Sequence, residues 1–456
     1  MRVTSSYKVE IVKLHKPLAK TMRICRSAVS YLLPVIDGEW EYLSSISGEK
    51  ARFNAAEKLI HETQRNTAKY PFDAAYPKMP SYLRRAILRH VLGAVSSIHT
   101  REGLSRDASK ETGSGYAAAA SETPDAFSYR KPESTQQDHY MPVFYKDNMY
   151  RKEEDCVFLK LWNGKDWVWQ EVHLKKTDLL YLRKYWSDVK AKSPVLLKRH
   201  RKYYLQFAFE QNVSLPDKPA GKQRICAVDL GINTDAVCSI MDADGTVAAR
   251  KFISFPAEKD RLYHVLCRVR KKQREHGPDS VKGFWSYAKR LNEEIAGKTA
   301  GAVVSFANDH GADVIVFEHL DTKGKIRGKS RMKLHMWKKQ TVQALAEHQA
   351  HRSGMRVSRV CARKTSALAY DGSGVLTRDA KNHSLATFQN GKQYNCDLSA
   401  SYNIGARYFI RELLKPVPET ERSALEAKVP AVQRRTSCVY ADLIKLSEVM
   451  AEKKAA

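Results

Sequence analysis

The feature that most constrains the fold is a pair of short apolar runs that each end in an acidic residue. Residues 225–228 (Ile-Cys-Ala-Val) lead into Asp229, and residues 314–317 (Val-Ile-Val-Phe) lead into Glu318. Continuous apolar runs of this length are typical of strands buried on both faces of a sheet. Turn-forming Gly and Asn residues follow Asp229, so this acid falls at a strand end. The pattern predicts two buried strands that bring two carboxylates to one sheet edge.

A third acid, Asp397, stands where an amphipathic helix begins, and we expect it to cap that helix. If this helix packs across the two strand ends, the three carboxylates converge. Without a cation, their mutual repulsion would force at least one of them to protonate. Carboxylate oxygens suit Mg²⁺, with Mn²⁺ as an alternative, and a pair of such ions about 3.5–4 Å apart serves phosphodiester hydrolysis. The acids are therefore predicted to be both metal ligands and catalytic residues.

Each acid also has a purely structural interpretation. Asp229 would stabilise a turn, Glu318 would be a satisfied loop carboxylate, and Asp397 would be only a helix cap. Taken singly, these interpretations are favoured. Two buried strands that each end in an acid, together with an acid at a helix start, form a more specific pattern that favours a catalytic site.

The charge of the chain indicates a polyanionic partner. Lys and Arg number 78 against 50 Asp and Glu, a formal net charge of +28, and 43% hydrophobic residues are ample for a folded body. Such a field attracts nucleic acid, although a merely solvated basic surface is the simpler alternative. Two basic segments, a helical one that begins at residue 80 and another at 321–340, give the candidate nucleic-acid contacts: Arg84, Arg85, Arg89, Lys323, Lys325, Arg327, Lys329, Arg331 and Lys333.

The periodicity of the sequence predicts a multidomain α+β and α/β protein. A β-rich, barrel-like module contains a helical insertion, and an α/β domain with inserted helices follows a linker. The predicted boundaries are 1–15 and 138–213 for the β-rich module, 16–137 for the helical insertion with a flexible loop at 106–137, 214–223 for the linker, and 224–456 for the α/β domain with inserted helices at 257–310.

Cysteine usage and hydropathy bear on the compartment of the protein. The eight cysteines include no CxxC pair, so neither a disulfide framework nor a zinc knuckle is indicated. No stretch of about 18 uncharged apolar residues occurs, and the N-terminus lacks an apolar signal core. The sequence therefore predicts a cytoplasmic protein that does not bind membranes.

Three motifs resemble the RuvC motifs of TnpB proteins and type V CRISPR effectors: DLGIN at 229–233, IVFEHL at 315–320 and DLSASYNIGA at 397–406. Their order and spacing also match that family. The resemblance implies an RNA-guided DNA endonuclease with a ribonuclease-H-like (RuvC) domain, in which Asp229, Glu318 and Asp397 hold magnesium. It further implies guide RNA and target double-stranded DNA as partners. The β-rich module would be the family's wedge domain, and the helical insertion would be its recognition domain.

The sequence departs from that family in two places. The lobe at 361–396 keeps only Cys361 and Cys396, and it has Ala369 and Gly372 where zinc-ribbon thiols would be expected. We therefore expect a compact member with a degenerate ribbon that packing, rather than zinc, holds together. The second departure is His319, where the family often has another acid.

Two other functions share most of these features. A transposase or recombinase with a ribonuclease-H-like core would cut DNA without a guide. An RNA-guided DNA-binding protein would recognise its target without cutting it. Copurifying small RNA separates the guided from the unguided function, and incubation of the RNA complex with magnesium and plasmid separates cutting from binding.

Overall fold

A computed structural model describes every residue except 14, 112–139, 154–155, 200, 216, 320–336, 434–435 and 456. The chain divides into two compact units. The N-terminal unit is Thr4–Gln211, and the C-terminal unit combines Met1–Val3 with Asn212–Ala456. Each unit has an apolar core of its own, as expected for a chain of this length.

The N-terminal unit is built mainly from helices and two three-stranded sheets. Its helices are α1 (His15–Gly38), α2 (Trp40–Ser45), α3 (Glu49–Ile60), α4 (Phe72–Ala75), α5 (Ser81–Glu111) and α6 (Lys176–Trp186). Its strands are β1 (Arg2–Ile11), β2 (Tyr150–Glu153), β3 (Cys156–Trp162), β4 (Trp167–Val172), β5 (Val195–Arg199) and β6 (Lys202–Asn212). The sheet orders are β1-β6-β5 and β2-β3-β4.

The first strand of the chain joins a sheet with a strand from the far end of the same unit. In β6, Tyr203, Leu205, Phe207 and Phe209 are buried while the residues between them are more exposed. This alternation places one face of the strand on the core. Strand β1 lies beside β6, so the two ends of this unit share one sheet.

Two features of this unit differ from the sequence prediction. Helix α5 continues to Glu111, so residues 106–111 of the predicted flexible loop are helical, and the rest of that loop lies outside the described residues. The extension has a physical reason, since residues 104–110 include the good helix formers Leu, Arg, Ala and Lys. Helix α6 was not anticipated, although Leu179, Leu182 and Trp186 have helical spacing and pack against the core.

The C-terminal unit contains the remaining elements. Its strands are β7 (Arg224–Asp229), β8 (Ala236–Asp242), β9 (Val247–Ile253), β10 (Val314–His319), β11 (Arg356–Cys361), β12 (Thr377–Arg378), β13 (Leu385–Thr387) and β14 (Gln393–Asn395). Its helices are α7 (Pro256–His276), α8 (Lys282–Asp309), α9 (Lys339–Arg352), α10 (Cys396–Leu414), α11 (Glu419–Lys428) and α12 (Tyr440–Ala455).

A five-stranded sheet in the order β11-β10-β7-β8-β9 forms the centre of this unit. Strands β7, β8 and β9 are antiparallel neighbours, whereas β10 is parallel to both β7 and β11. Helices cover both faces of the sheet, so alternate residues of β7 pack in two different cores. Ile225 and Ala227 pack in the core that contains α10, whereas Cys226 and Val228 pack in the core that contains α8 and α9.

Helix α10 approaches the sheet closely, and a glycine permits this approach. A Cβ atom placed on Gly405 would lie 2.4 Å from Sδ of Met241 and 3.3 Å from Cβ of Ala227. A Cβ atom at these separations would force the side chain of Met241 to shift and would crowd Ala227. Gly405 therefore sets how near α10, and the acid at its start, come to the ends of the central strands.

The lobe at 361–396 contains the small sheet β12-β13-β14 and a small apolar core. Tyr370 is central to an aromatic cluster, with its ring centroid 5.8 Å from Phe388, 5.0 Å from Tyr394 and 5.3 Å from Tyr402. Such aromatic pairs stabilise a small core by burying apolar surface and by the favourable geometry of their rings. Cys361 is exposed and Cys396 is buried, so the two thiols of this lobe lie in different environments.

Among the helices in the described parts of the chain, none is both long enough and apolar enough to cross a membrane.

Candidate active site

The two acids predicted at strand ends lie at the same edge of the central sheet. Val228 of β7 pairs in register with Phe317 of β10, and Asp229 and Glu318 are the next residues on these parallel strands. Their side chains share a face, because Ala227 and Val316, two positions before them, both pack in the core with α10. The two carboxylates therefore project toward the helix that carries the third acid.

Asp397 lies in the first turn of α10, but it does not cap this helix as the sequence predicted. The N-cap is Asn395, whose Oδ1 accepts a hydrogen bond of 2.9 Å from the backbone N–H of Leu398. Asn and Asp serve equally well as N-caps, so the sequence did not distinguish these two candidates two residues apart. Because Asn395 satisfies the helix end, the carboxylate of Asp397 is not needed for capping.

The three acids interact electrostatically. Burial raises the pKa of Asp229 well above its ordinary value, and the negative charges of Glu318 and Asp397 raise it further. The guanidinium of Arg378 acts in the opposite direction and lowers that pKa. Asp229 thus lies near enough to Glu318 and Asp397 for their charges to act on it at a buried position.

Glu318 is held by groups that the sequence analysis did not identify. Its side chain is only 8% exposed, and burial raises its pKa, while a hydrogen bond from the Thr365 hydroxyl to Oε1 lowers it. The cations of Arg407 and Lys339 also lower this pKa. Its backbone carbonyl accepts a 2.8 Å hydrogen bond from Nε2 of Gln343 on α9. These contacts fix where the Glu318 carboxylate lies.

Helix α10 also positions Thr365 through a buried amide. Nδ2 of Asn403 donates to the carbonyls of Thr365 and Leu368 at 3.0 and 2.9 Å, and its Oδ1 accepts from the backbone N–H of Tyr440 at 3.0 Å. The amide therefore satisfies the backbone carbonyls of the turn that presents the Thr365 hydroxyl to Glu318. The helix that supplies Asp397 thus also supports the residue that orients a second acid.

Arg407, one turn after Asn403, is a second buried anchor on α10. It is 3% exposed and donates to the carbonyls of Cys438, Cys361 and Arg363 at 3.0, 2.7 and 2.8 Å. Asn403 and Arg407 are polar residues four positions apart, and both are buried, as is most of this helix. This i, i+4 spacing of two polar residues was the one signal in the sequence that could have predicted a polar face of α10 near the acids, where the two side chains bind backbone carbonyls.

The donor set fits magnesium by its chemistry. Three carboxylates offer hard oxygen ligands, and a divalent cation would relieve the repulsion that raises the pKa of Asp229. Within the described part of the chain, no group of three Asp, Glu, His or Cys side chains is arranged to hold a metal ion. Metal binding therefore requires the side chains of these acids to move closer together than they are here.

Replacing Thr365 by valine tests the contact to Glu318. Valine keeps the shape of threonine but removes the hydroxyl, so the Glu318 carboxylate loses its fixed orientation. If the site cuts DNA, as the resemblance of its motifs implies, the cutting rate should fall roughly 10- to 100-fold, the loss that is usual for partners that orient metal ligands. Thr365→Ser should retain most activity because it keeps the hydroxyl. Equal rates for Thr365→Val and the wild-type protein, measured at saturating Mg²⁺, would contradict this role.

The charge of Asp229 predicts a pH-dependent stability. The pKa of Asp229 is raised in the folded state, so the protonated carboxyl stabilises the fold. This contribution to the free energy of unfolding is fully present below the ordinary pKa of aspartate, and it is lost as the pH rises through the raised pKa. Near neutral pH without metal, Asp229→Asn should therefore raise the unfolding temperature, by about 2–4 °C. The gain should disappear as the pH falls toward about 3.9. Scanning calorimetry in EDTA measures both, and a lower unfolding temperature for Asp229→Asn near neutral pH would refute the prediction.

The predicted nucleic-acid contacts have different positions. Arg84 is buried and pairs with Glu57 and Asp73 at 3.6 and 3.4 Å, so it serves the core of the N-terminal unit rather than an exposed phosphate-binding surface. Arg85 and Arg89 are exposed on α5, with their guanidinium carbons 5.4 and 5.1 Å from the ring centroid of Phe53. Six further candidates lie outside the described residues: Lys323, Lys325, Arg327, Lys329, Arg331 and Lys333.

Two kinds of similarity to known proteins were found, one to a sequence family over the N-terminal third of the chain and one to solved structures over most of the chain. The sequence model of the Aq_aa04 family matches residues 4–163. Comparison with curated protein sequences gives no match.

Among solved structures, the chain is similar to CasPhi-2 (Cas12j) bound to crRNA, with 10% identity and a TM-score of 0.48 over 88% of this chain and 97% of that one. It is similar to the mini-RNA-guided endonuclease CRISPR-Cas_phi3, with 11% identity and a TM-score of 0.47 over 88% and 92%. It is also similar to Cas12f1 in a complex with sgRNA and target DNA, with 14% identity and a TM-score of 0.31 over 88% and 98%. At these identities and scores, the chemistry has to be assigned from the chain's own residues.

Proposed function

We propose that this protein is a magnesium-dependent endonuclease that hydrolyses phosphodiester bonds of DNA at Asp229, Glu318 and Asp397. The observation that carries the proposal is the convergence of these acids. Asp229 and Glu318 follow a register pair on adjacent parallel strands, and the charges of Glu318 and Asp397 both raise the pKa of Asp229. Buried carboxylates that perturb one another in this way are typical of catalytic metal sites.

The residues around the acids have separate tasks in this proposal. A pair of Mg²⁺ ions, when bound, would activate the attacking water and stabilise the leaving oxygen. Asp229, Glu318 and Asp397 would hold these ions, and the Thr365 hydroxyl, which donates to Oε1 of Glu318, would limit the orientations of that carboxylate. Arg378 and Lys339 place positive charge near the acids, since each lowers the pKa of one of them. That charge also favours the approach of a phosphate.

We further propose that a guide RNA directs this nuclease to double-stranded DNA. Support comes from the motifs at 229–233, 315–320 and 397–406, whose order and spacing resemble the RuvC motifs of TnpB proteins and type V CRISPR effectors. The strand order β11-β10-β7-β8-β9 supports a ribonuclease-H-like, RuvC-type domain. The net charge of +28 suits a protein that holds a guide–target heteroduplex by its backbone while base pairing supplies the sequence specificity.

The experiment that tests this proposal starts from the RNA that copurifies with the protein. That RNA is sequenced, and plasmids that carry the matching target beside a randomised flank are incubated with the complex and Mg²⁺. We expect cutting at the matched target, and none after addition of EDTA or with a mismatched plasmid. Cutting without copurifying RNA would indicate a guide-independent transposase or recombinase. Matched binding without cutting would indicate a repressor.

A further inference from the structure

Three tyrosine rings form a stack on the surface of the N-terminal unit. The ring of Tyr181 on α6 lies against that of Tyr7 on β1, with their centroids 4.5 Å apart and their planes at 16°. The ring of Tyr185, one turn further along α6, has its centroid 4.7 Å from that of Tyr181. Tyr181 and Tyr185 are 39% and 53% exposed. This tyrosine stack, Tyr7, Tyr181 and Tyr185, is therefore open to solvent at its outer end.

Hydrogen bonds and core packing fix the helix that carries the two outer rings. At the start of α6, the backbone N–H of Lys175 donates to the carbonyl of Glu10 at 2.9 Å. The backbone N–H of Glu10 in turn donates to Oδ2 of Asp178 at 3.0 Å. Toward the other end of the helix, Leu182 and Trp186 pack against the core of the unit. The two outer tyrosines are therefore held in place in advance of any ligand, which lowers the entropic cost of binding one.

The outward side of α6 is aromatic, whereas the solvent side of a surface helix is usually polar. A single exposed apolar residue needs no explanation, but Leu180, Tyr181 and Tyr185 are all exposed within six positions. Clustered exposure of large apolar side chains is typical of a binding surface. The outer end of the tyrosine stack is therefore a candidate docking site.

The charges around the tyrosine stack indicate what it binds. Lys184 places Nζ 5.2 Å from the ring centroid of Tyr185, and Lys176 is exposed in the first turn of α6. Residues 173–190 contain five Lys or Arg against two Asp, and one of these acids, Asp178, already accepts from backbone. Aromatic rings among excess cations suit unpaired nucleotides, because the bases stack while the phosphates meet the positive charges. An apolar protein partner would cover the same cations without neutralising them.

Two properties of the exposed rings favour RNA over DNA. Both rings are tyrosines, and a phenol hydroxyl can donate to or accept from a ribose 2′-hydroxyl, the group that distinguishes RNA from DNA. The rings also offer a stacking surface, which unpaired bases of RNA commonly occupy, whereas the bases of a duplex are already stacked on their neighbours. The stack therefore suits an unpaired segment of RNA.

We infer that unpaired RNA bases stack on Tyr181 and Tyr185. One or two bases extend the tyrosine stack outward, and Lys184 contacts the phosphate that joins them. The inference rests on the proposed guide RNA and deepens it, because it assigns a protein contact to a segment of that RNA that is paired neither with itself nor with target DNA. Stacking is tolerant of base identity, so this contact holds the RNA without reading its sequence.

Ultraviolet crosslinking locates the RNA without relying on DNA cutting. The full-length protein is irradiated with its copurifying RNA, and RNA-stripped protein is irradiated in parallel with single-stranded oligo(rA) of about 12 nucleotides. Peptides that carry a nucleotide are identified by mass spectrometry. We expect adducts on Tyr181 or Tyr185 in both samples, with a lower yield when an RNA duplex replaces oligo(rA).

Variants of the outermost ring separate stacking from charge. Tyr185→Ala should weaken RNA binding about tenfold and leave its salt dependence unchanged, because loss of a stacked base releases no counterions. Tyr185→Phe keeps the ring and should bind RNA within about threefold of the wild-type affinity. Tyr42→Ala is the matched control, since it removes a tyrosine of the same 53% exposure on α2, and it should leave RNA affinity unchanged.

The outcomes separate this inference from the proposed function. Unchanged RNA affinity in Tyr185→Ala, or adducts that map only to other residues, would overturn the RNA contact even if the complex cuts DNA in Mg²⁺. A variant that binds RNA normally but loses DNA affinity, or changes the mass of the assembly in analytical ultracentrifugation, would overturn it in favour of DNA or a second copy of the chain. Adducts on the stack in a protein that never cuts would support the contact and reject the nuclease. Adducts with oligo(rA) in a protein without copurifying RNA would support the contact and reject the guide.

Discussion

Alanine at any one of Asp229, Glu318 and Asp397 is expected to reduce DNA cutting at least about a thousandfold, because loss of metal removes several kcal/mol of transition-state stabilisation. DNA binding should stay within about twofold of the wild-type affinity, since phosphate contacts from basic side chains supply most of it. Cutting is measured as a single-turnover rate in Mg²⁺, and binding is measured with Ca²⁺ in its place.

Asp313 provides a matched control for these three substitutions. It is a largely buried acid immediately before β10, at the opposite end of the strand from Glu318, and it pairs with Lys218 at 2.6 Å. Asp313→Asn alters a buried carboxylate on the same sheet but should leave the cutting rate within about threefold. Wild-type cutting by any one of the three alanine variants, or equal loss in Asp313→Asn, would remove the special role assigned to the trio.

Replacing Arg407 by leucine is expected to lower the free energy of unfolding by about 3–5 kcal/mol. The substitution leaves three carbonyls without the donors that now satisfy them, a buried one on Cys438 and two partly buried ones on Cys361 and Arg363. It also removes a cation that lowers the pKa of Glu318. Denaturant unfolding, followed by circular dichroism, measures this loss.

Arg411, on the same helix, is the control for that substitution. It donates to the carbonyl of Arg359 and to Oγ of Ser358 at 2.9 and 2.7 Å, but its side chain is 35% exposed, so water can replace its contacts. Arg411→Leu should cost at most about 1–2 kcal/mol. If the two leucine variants lose equal stability, burial of Arg407 is not the source of its effect.

The sequence predicted the central part of the site because local patterns determined it. Continuous apolar runs before Asp229 and Glu318 identified buried strands, and the position of each acid at the end of its run placed both at one sheet edge. The start of α10 was also visible, but its cap was assigned to Asp397 instead of Asn395. Asn and Asp side chains both accept hydrogen bonds from helix N–H groups, so only the structure shows that Asn395 is the cap.

The residues that support the site could not be predicted, since their partners are distant along the chain. Thr365 contacts Glu318 across 47 positions, and the pairing of Arg84 with Glu57 joins two separate helices. An arginine on an amphipathic helix has the same local pattern whether it faces a phosphate or a buried carboxylate. Tertiary packing alone decided that Arg84 has the second role.

Binding of Mn²⁺ by the protein–RNA–DNA complex tests the central claim most directly, because it reports the shared metal site without requiring catalysis. Isothermal titration is carried out on the wild-type complex and on complexes with Asp229→Asn, Glu318→Gln and Asp397→Asn, with Asp313→Asn as the control. The account predicts that each of the first three variants weakens Mn²⁺ binding at least about tenfold, whereas Asp313→Asn binds as the wild type does. Unchanged Mn²⁺ affinity in all three variants would contradict it.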